Sequence, residues 1–194
     1  MPVNKDMVEQ GMQLILEGIG EDPLREGLID TPARIARMYE EILSGMAKDP
    51  SELFSTSFGE SHHEMVLVRD IPFYSLCEHH MVPFFGHAHV GYIPGHEGRI
   101  CGISKLARLV DIFANRLQVQ ERLTTQIADT LVEQLEPDGV IVAVGAEHLC
   151  MAMRGIKKPG TTTVTSAVRG VFESSARTRA EALSLILNAG AITS

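Results

Sequence analysis

The stretch LTTQIADTLVEQLEPDGVIVAV, residues 123–144, decides the fold class. Leu123, Ile127, Leu131 and Leu135 recur every four residues and so form one stripe of a helix. Pro137-Asp138-Gly139 then makes a turn, because proline presets φ and glycine accepts a positive one. Val140-Ile141-Val142-Ala143-Val144 follows as an unbroken apolar run, the pattern of a strand covered on both sides. Helix, tight turn and buried strand in direct succession define a mixed α and β protein.

Working outward, the preceding segment predicts a helix with Ser104 as N-cap and Leu106, Leu109, Val110, Phe113 and Leu117 inside. Met65–Val68 predicts a short strand. Phe84–Ile93 predicts a longer one, in which Gly86, Ala88, Val90 and Tyr92 alternate with Phe85, His87, His89 and Gly91. Phe85-Gly86 and Gly91-Tyr92 point to strands lying close to other backbone. Pro72 and Pro83 frame Cys77–His80, which is therefore expected in a loop. A last strand is expected over about Thr162 to Val168, and Thr178-Arg179-Ala180-Glu181 has the form of a capping box.

Toward the N-terminus, Val8, Met12, Ile15 and Ile19 share a helical face that Gly18 and Gly20 close. Thr31-Pro32 opens a second helix, with Thr31 as N-cap, an apolar side of Ile35, Met38, Tyr39 and Ile42, and Gly45 as its stop. The order is helices, two strands, two helices, two strands, helix. It predicts an α+β fold, an antiparallel four-stranded sheet backed by a helix pair. An N-terminal helical region occupies 1–60 and a second domain 61–194.

The net charge of −8, from 17 Lys and Arg against 25 Asp and Glu, argues against the broad basic face that nucleic acid requires. A small anionic substrate is compatible with it, since a few cations can focus positive potential in one cleft. Three cysteines, and a start lacking a basic and then apolar run, lead us to expect a reducing, cytoplasmic compartment. No stretch approaches the roughly 20 apolar residues of a membrane span.

The chemistry concentrates in Cys77-Glu78-His79-His80 and His148-Leu149-Cys150, which together hold two thiols and three imidazoles. Thiolate and imidazole suit zinc, and a catalytic zinc keeps one position open. A ligand set of Cys77, His80 and Cys150 leaves His79 and His148 to move protons. A Cys77–Cys150 disulfide and a pair of inert buried thiols are the alternatives. Cys101 reads as structural, and His87 and His89 as packing residues outside the site. Ser104, Lys105 and Arg108 open a helix, where anions are favoured. Arg154, Lys157 and Lys158 follow Cys150 closely. Taken singly, each of these is a surface charge; Arg34 and Arg37 read as a solvated face, and Gln120-Glu121 as a plain first turn.

Several runs resemble the GTP cyclohydrolase I family: Thr31–Ala36, Cys77–Phe84, Gly86–Pro94, Gly102–Arg108, Gln118–Thr124 and His148 to Gly155. The resemblance spans about Pro23 to Ala189. It implies zinc on Cys77, His80 and Cys150, and proton transfer by His79 and His148, with Ser104 assisting. It places guanine recognition on Glu121 with Gln120 beside it. Triphosphate and ribose contacts fall on Ser104, Lys105, Arg108 and Arg154, with Arg34 and Arg37 supplied by another subunit. These roles replace the plainer readings of Arg34, Arg37 and Glu121. The implied fold is the tunnelling fold in a homodecamer. The implied reaction converts GTP and water to 7,8-dihydroneopterin triphosphate and formate, a zinc-bound water attacking carbon 8. It is the first step of tetrahydrofolate and pterin synthesis.

Overall fold

The computed structural model describes residues 3–55, 58–59 and 62–187. The chain falls into two compact units, 1–48 and 49–194.

In the first unit, α1 (Lys5–Gly18) is capped by Asn4, whose side chain accepts from Met7 N at 3.1 Å. It packs on α2 (Thr31–Ile42). Val8 and Met12 are half-buried and Leu16 is buried, whereas Ile15 and Ile19 are exposed. The expected stripe is corrected accordingly: the contact follows the four-residue row Val8, Met12, Leu16. Asp30 takes the N-cap position of α2, so Thr31 and Pro32 are its first two residues. Proline is tolerated there because those N–H groups have no helical acceptor. Gly45 lies in a short 3-10 turn, Ser44–Ala47, that prolongs α2.

The second unit begins with a 3-10 turn, Pro50–Phe54. Then come β1 (Phe58–Gly59), β2 (Val66–Cys77), β3 (Val82–Ile93), β4 (Arg99–Ile100), α3 (Ile103–Ala114), β5 (Leu117–Gln118) and α4 (Gln120–Leu135). They are followed by β6 (Gly139–His148), α5 (Leu149–Ala152), β7 (Thr162–Gly170), α6 (Val171–Ser174) and α7 (Ala176–Leu187). β1 and β4 form a small antiparallel pair. The main sheet has the order β5-β2-β3-β6-β7. Its four long strands are antiparallel, and β5 adds a fifth, parallel to β2 at Leu76–Leu117 and Cys77–Gln118. Leu117 therefore belongs to the sheet rather than to the α3 stripe.

The largest departure from the sequence reading is β2. It runs unbroken through Pro72, and the loop before β3 shrinks to Glu78–Met81. Two features permit this. A bulge between Val68 and Ile71, with Asp70 at φ 54°, absorbs the irregularity. Among the described residues the other edge of β2 is paired only with β5, at Leu76 and Cys77, so Pro72 lies where its missing N–H is tolerated.

Leu123, Ile127, Leu131 and Leu135 are all buried, as their spacing predicts. With Leu106, Leu109, Val110 and Phe113 of α3 they cover Ala88, Val90, Tyr92, Val140, Val142 and Val144 of the sheet. Ile141 faces the other way, onto Phe172 and Ala182 of α6 and α7. This two-sided cover explains the unbroken apolar run of β6. Gly86 lies against β6: a Cβ there would collide with Gly145 O and come within 2.7 Å of Ala146 Cα. Gly102, not Ser104, caps α3. Ser175, not Thr178, caps α7, its hydroxyl accepting from Thr178 N at 3.2 Å. In both cases the helix starts earlier than the capping pattern suggests. Among the described residues no helix is long and apolar enough to cross a membrane.

Candidate active site

The β2–β3 turn and the end of β6 come together where β5 joins α4. Glu78 N donates to Gln118 O at 3.0 Å, and Met81 N to Cys77 O at 2.8 Å. Arg122, from the first turn of α4, grips Glu78 with two hydrogen bonds, Nη1 to Oε2 at 2.6 Å and Nη2 to Oε1 at 2.9 Å. This pairing holds the Glu78 carboxyl below the usual range. Only the fold brings Arg122 to Glu78, 44 residues away in sequence.

Cys77, His79, Gln120, Glu121, His148 and Cys150 line one pocket of about 400 Å³, with Val119, Met151 and Thr163. Cys150 lies in the helical turn α5, immediately past the strand that ends at His148. The Cys150 thiol is pushed up by burial and by its contact with the Cys77 thiol. Neither sulfur is in a disulfide.

His148 stacks on Phe84, ring centroids 4.6 Å apart and planes 3° from parallel. Burial lowers its pKa from the ordinary imidazole value, and the Glu121 carboxylate partly opposes that. Its Nε2 lies 2.8 Å from Gln120 Oε1. Gln120 is 1% exposed, so it is no plain first-turn residue. Glu121, next to it, is exposed on the pocket rim.

The donors suit zinc in kind: two thiols side by side and a histidine on the same turn. Among the described residues, however, no three His, Cys, Asp or Glu side chains are grouped to hold one ion. His80 is exposed and its Nε2 meets Arg154 Nη1 at 3.0 Å. An arginine only donates, so that nitrogen uses its lone pair on Arg154.

Ser104, Lys105 and Arg108 lie in the first two turns of α3 and do not line this pocket. In the first unit Arg34 pairs with Asp30 at 3.1 Å and Arg37 is exposed. Cys101 is buried in the core, its N–H donating to Tyr92 Oη at 3.1 Å. His87 and His89 lie outside the pocket, and His89 Nδ1 accepts from Asp70 N at 3.2 Å.

Paired thiols, an oriented imidazole and a carboxylate, gathered at the end of an antiparallel sheet, define a polar pocket of the enzymatic kind on an α+β scaffold. Comparison with known proteins specifies the class. A family model described as GTP cyclohydrolase I matches residues 8–187. The chain is 62% identical over 184 residues to "GTP cyclohydrolase 1" of Halalkalibacterium halodurans, covering 95% of this chain and 97% of that one. It is equally 62% identical to the protein of that name from Geobacillus kaustophilus, with the same coverage. To the one from Bacillus subtilis it is 60% identical over 181 residues, covering 93% and 95%. The chain belongs to the GTP cyclohydrolase I family of enzymes.

Proposed function

We propose that this protein hydrolyses GTP to 7,8-dihydroneopterin triphosphate and formate, the first step of tetrahydrofolate and pterin synthesis. One observation carries the proposal: three chain segments, spread over more than 70 residues of sequence, deliver Cys77, His79, Glu121, His148 and Cys150 to a single pocket. Cys77, His80 and Cys150 would hold zinc, which requires His80 to give up its bond to Arg154. Zinc supplies, when bound, Lewis-acid activation of water at neutral pH.

The chain's own groups do the rest. His148 gives a proton to the purine nitrogen beside carbon 8. His79, exposed on its turn, assists ring opening of the ribose together with Ser104. Glu121 accepts from the ring N–H and the exocyclic amine of guanine. Adenine lacks that donor pair and would leave the carboxylate unmatched. Gln120 completes this end of the pocket. Ser104, Lys105, Arg108 and Arg154 bind the triphosphate; the first three open α3, where the helix end favours anions.

The second unit, 49–194, is the catalytic domain, a tunnelling fold, and the helical unit 1–48 is its extension; the boundary expected at 60/61 moves because Phe58–Gly59 pairs with Arg99–Ile100. The working unit is a cytoplasmic homodecamer with Arg34 and Arg37 reaching a neighbouring subunit's site.

The test is direct. Purified protein incubated with GTP releases formate and a product that oxidises to a fluorescent pterin, and ATP yields neither. GTP recovered intact from zinc-loaded protein would refute the proposal. Glu121→Gln raises KM for GTP about ten- to a hundredfold; an unchanged KM removes Glu121 from guanine recognition.

A further inference from the structure

The Gln120 side-chain amide has four polar neighbours. Val144 O and Thr163 O each lie 3.0 Å from Nε2, and Thr165 Oγ1 lies 3.1 Å away. The fourth is His148 Nε2, 2.8 Å from Oε1. Backbone carbonyls only accept, so the NH2 end of the amide must face them and its carbonyl must face the histidine. An amide carbonyl cannot donate. The hydrogen between Gln120 and His148 therefore belongs to His148 Nε2.

The same logic extends one layer further. Thr124 Oγ1 donates to Gln120 O at 2.8 Å. Thr165 Oγ1 lies 2.6 Å from Thr124 Oγ1, so it gives its hydrogen there and keeps a lone pair for Gln120 Nε2. Gln120 and Thr124 are each 1% exposed, which keeps water from substituting for either. Every donor in the chain thus has one direction.

We propose that the Gln120 side chain, its NH2 end held by Val144 O and Thr163 O, locks His148 in its Nε2–H tautomer, making Nδ1 the atom through which it passes protons. This rests on the reading of His148 as a proton-transfer group. Gln120 then acts through its side chain on His148 and not as a contact to GTP. In the step itself, bare Nδ1 of the neutral ring takes the proton that a water gives up as its oxygen bonds carbon 8. The electron pair of the adjacent carbon–nitrogen double bond takes that proton. The ring returns to its neutral Nε2–H form with the bond to Gln120 intact, and the stack on Phe84 keeps its plane.

Imidazole nitrogen NMR on the intact, ¹⁵N-histidine-labelled protein reads the tautomer, with a His148→Asn sample assigning the signal. We expect Nε2 protonated and Nδ1 bare in neutral His148. Gln120→Met removes the acceptor facing His148 at nearly constant volume. It should mix the tautomers and lower kcat about tenfold with little change in KM. A wild-type ring protonated at Nδ1 overturns the proposal, as does a Gln120→Met variant that keeps the Nε2–H tautomer or whose KM rises at constant kcat. Should Gln120→Met fail to fold, the wild-type spectrum still decides. Normal formate release by His148→Ala would sink the catalytic reading alone, leaving the tautomer result standing.

Discussion

The two sides of the pocket are built in opposite ways. On the sheet side, Gln120, Thr124, Thr165 and His148 are buried or half-buried, and the hydrogen bonds among them each have one direction. On the turn side, His79 and His80 are exposed, and His80 meets Arg154 alone among the bonds described. The sheet side is rigid because the β6–β7 pair supplies fixed carbonyls to a side chain arriving from α4. The turn side is held mainly through its backbone and the Glu78–Arg122 pair, leaving its side chains available for ligands. Preorganisation thus sits on the side proposed to move a proton, and adaptability on the side proposed to admit an ion and the substrate.

Substitutions on the two sides should break this contrast differently. The largest effect is expected for Cys150→Ser, which loses both zinc and turnover; metal analysis finding a full complement would remove Cys150 from the ligand set. On the sheet side, His148→Ala should keep its zinc while formate release in a single turnover slows about 10²–10⁴-fold. Equal zinc loss in both variants would erase the distinction between the sides. Arg122→Gln unties the turn without touching the sheet. It should lower kcat/KM about tenfold at an almost unchanged melting temperature, because the pair is largely exposed. An unaltered kcat/KM would show that the backbone alone holds the turn.

The smallest effect concerns His89, outside the pocket. Burial lowers its pKa from the ordinary 6.5, with the Asp70 carboxylate opposing and His87 and Arg69 reinforcing. Protonation at Nδ1 would also cost the bond from Asp70 N. The unfolded chain therefore binds the proton more readily than the folded one. Stability is full above pH 6.5 and declines as pH falls through the folded value. Denaturant melts of wild type and His89→Gln from pH 7.5 to 5 should differ in slope; parallel curves would exclude His89.

Much of the fold is legible in local patterns. The stripe Leu123 to Leu135 and the run Val140–Val144 announce α4 and β6, because a 3.6-residue period and an unbroken apolar run each demand a particular cover. The long β2 is not legible. Pro72 argues for a loop until it is known that, among the described residues, this edge of the strand is almost unpaired. The cap positions shift by one to three residues because Gly102, Asp30 and Ser175 begin their helices earlier than the Ser and Thr signals imply.

Of the site, the sequence alone determined the inventory: which thiols, imidazoles and carboxylate are present, and, through family motifs, what they resemble. Composition and spacing are enough for that, because residue type limits chemistry. Only the tertiary structure decided who meets whom. The directions of hydrogen bonds at Gln120 depend on carbonyls of Val144 and Thr163, and the grip on Glu78 depends on a helix 44 residues away. Backbone carbonyls are common to every residue, and their placement is set by strand register, which no single residue carries.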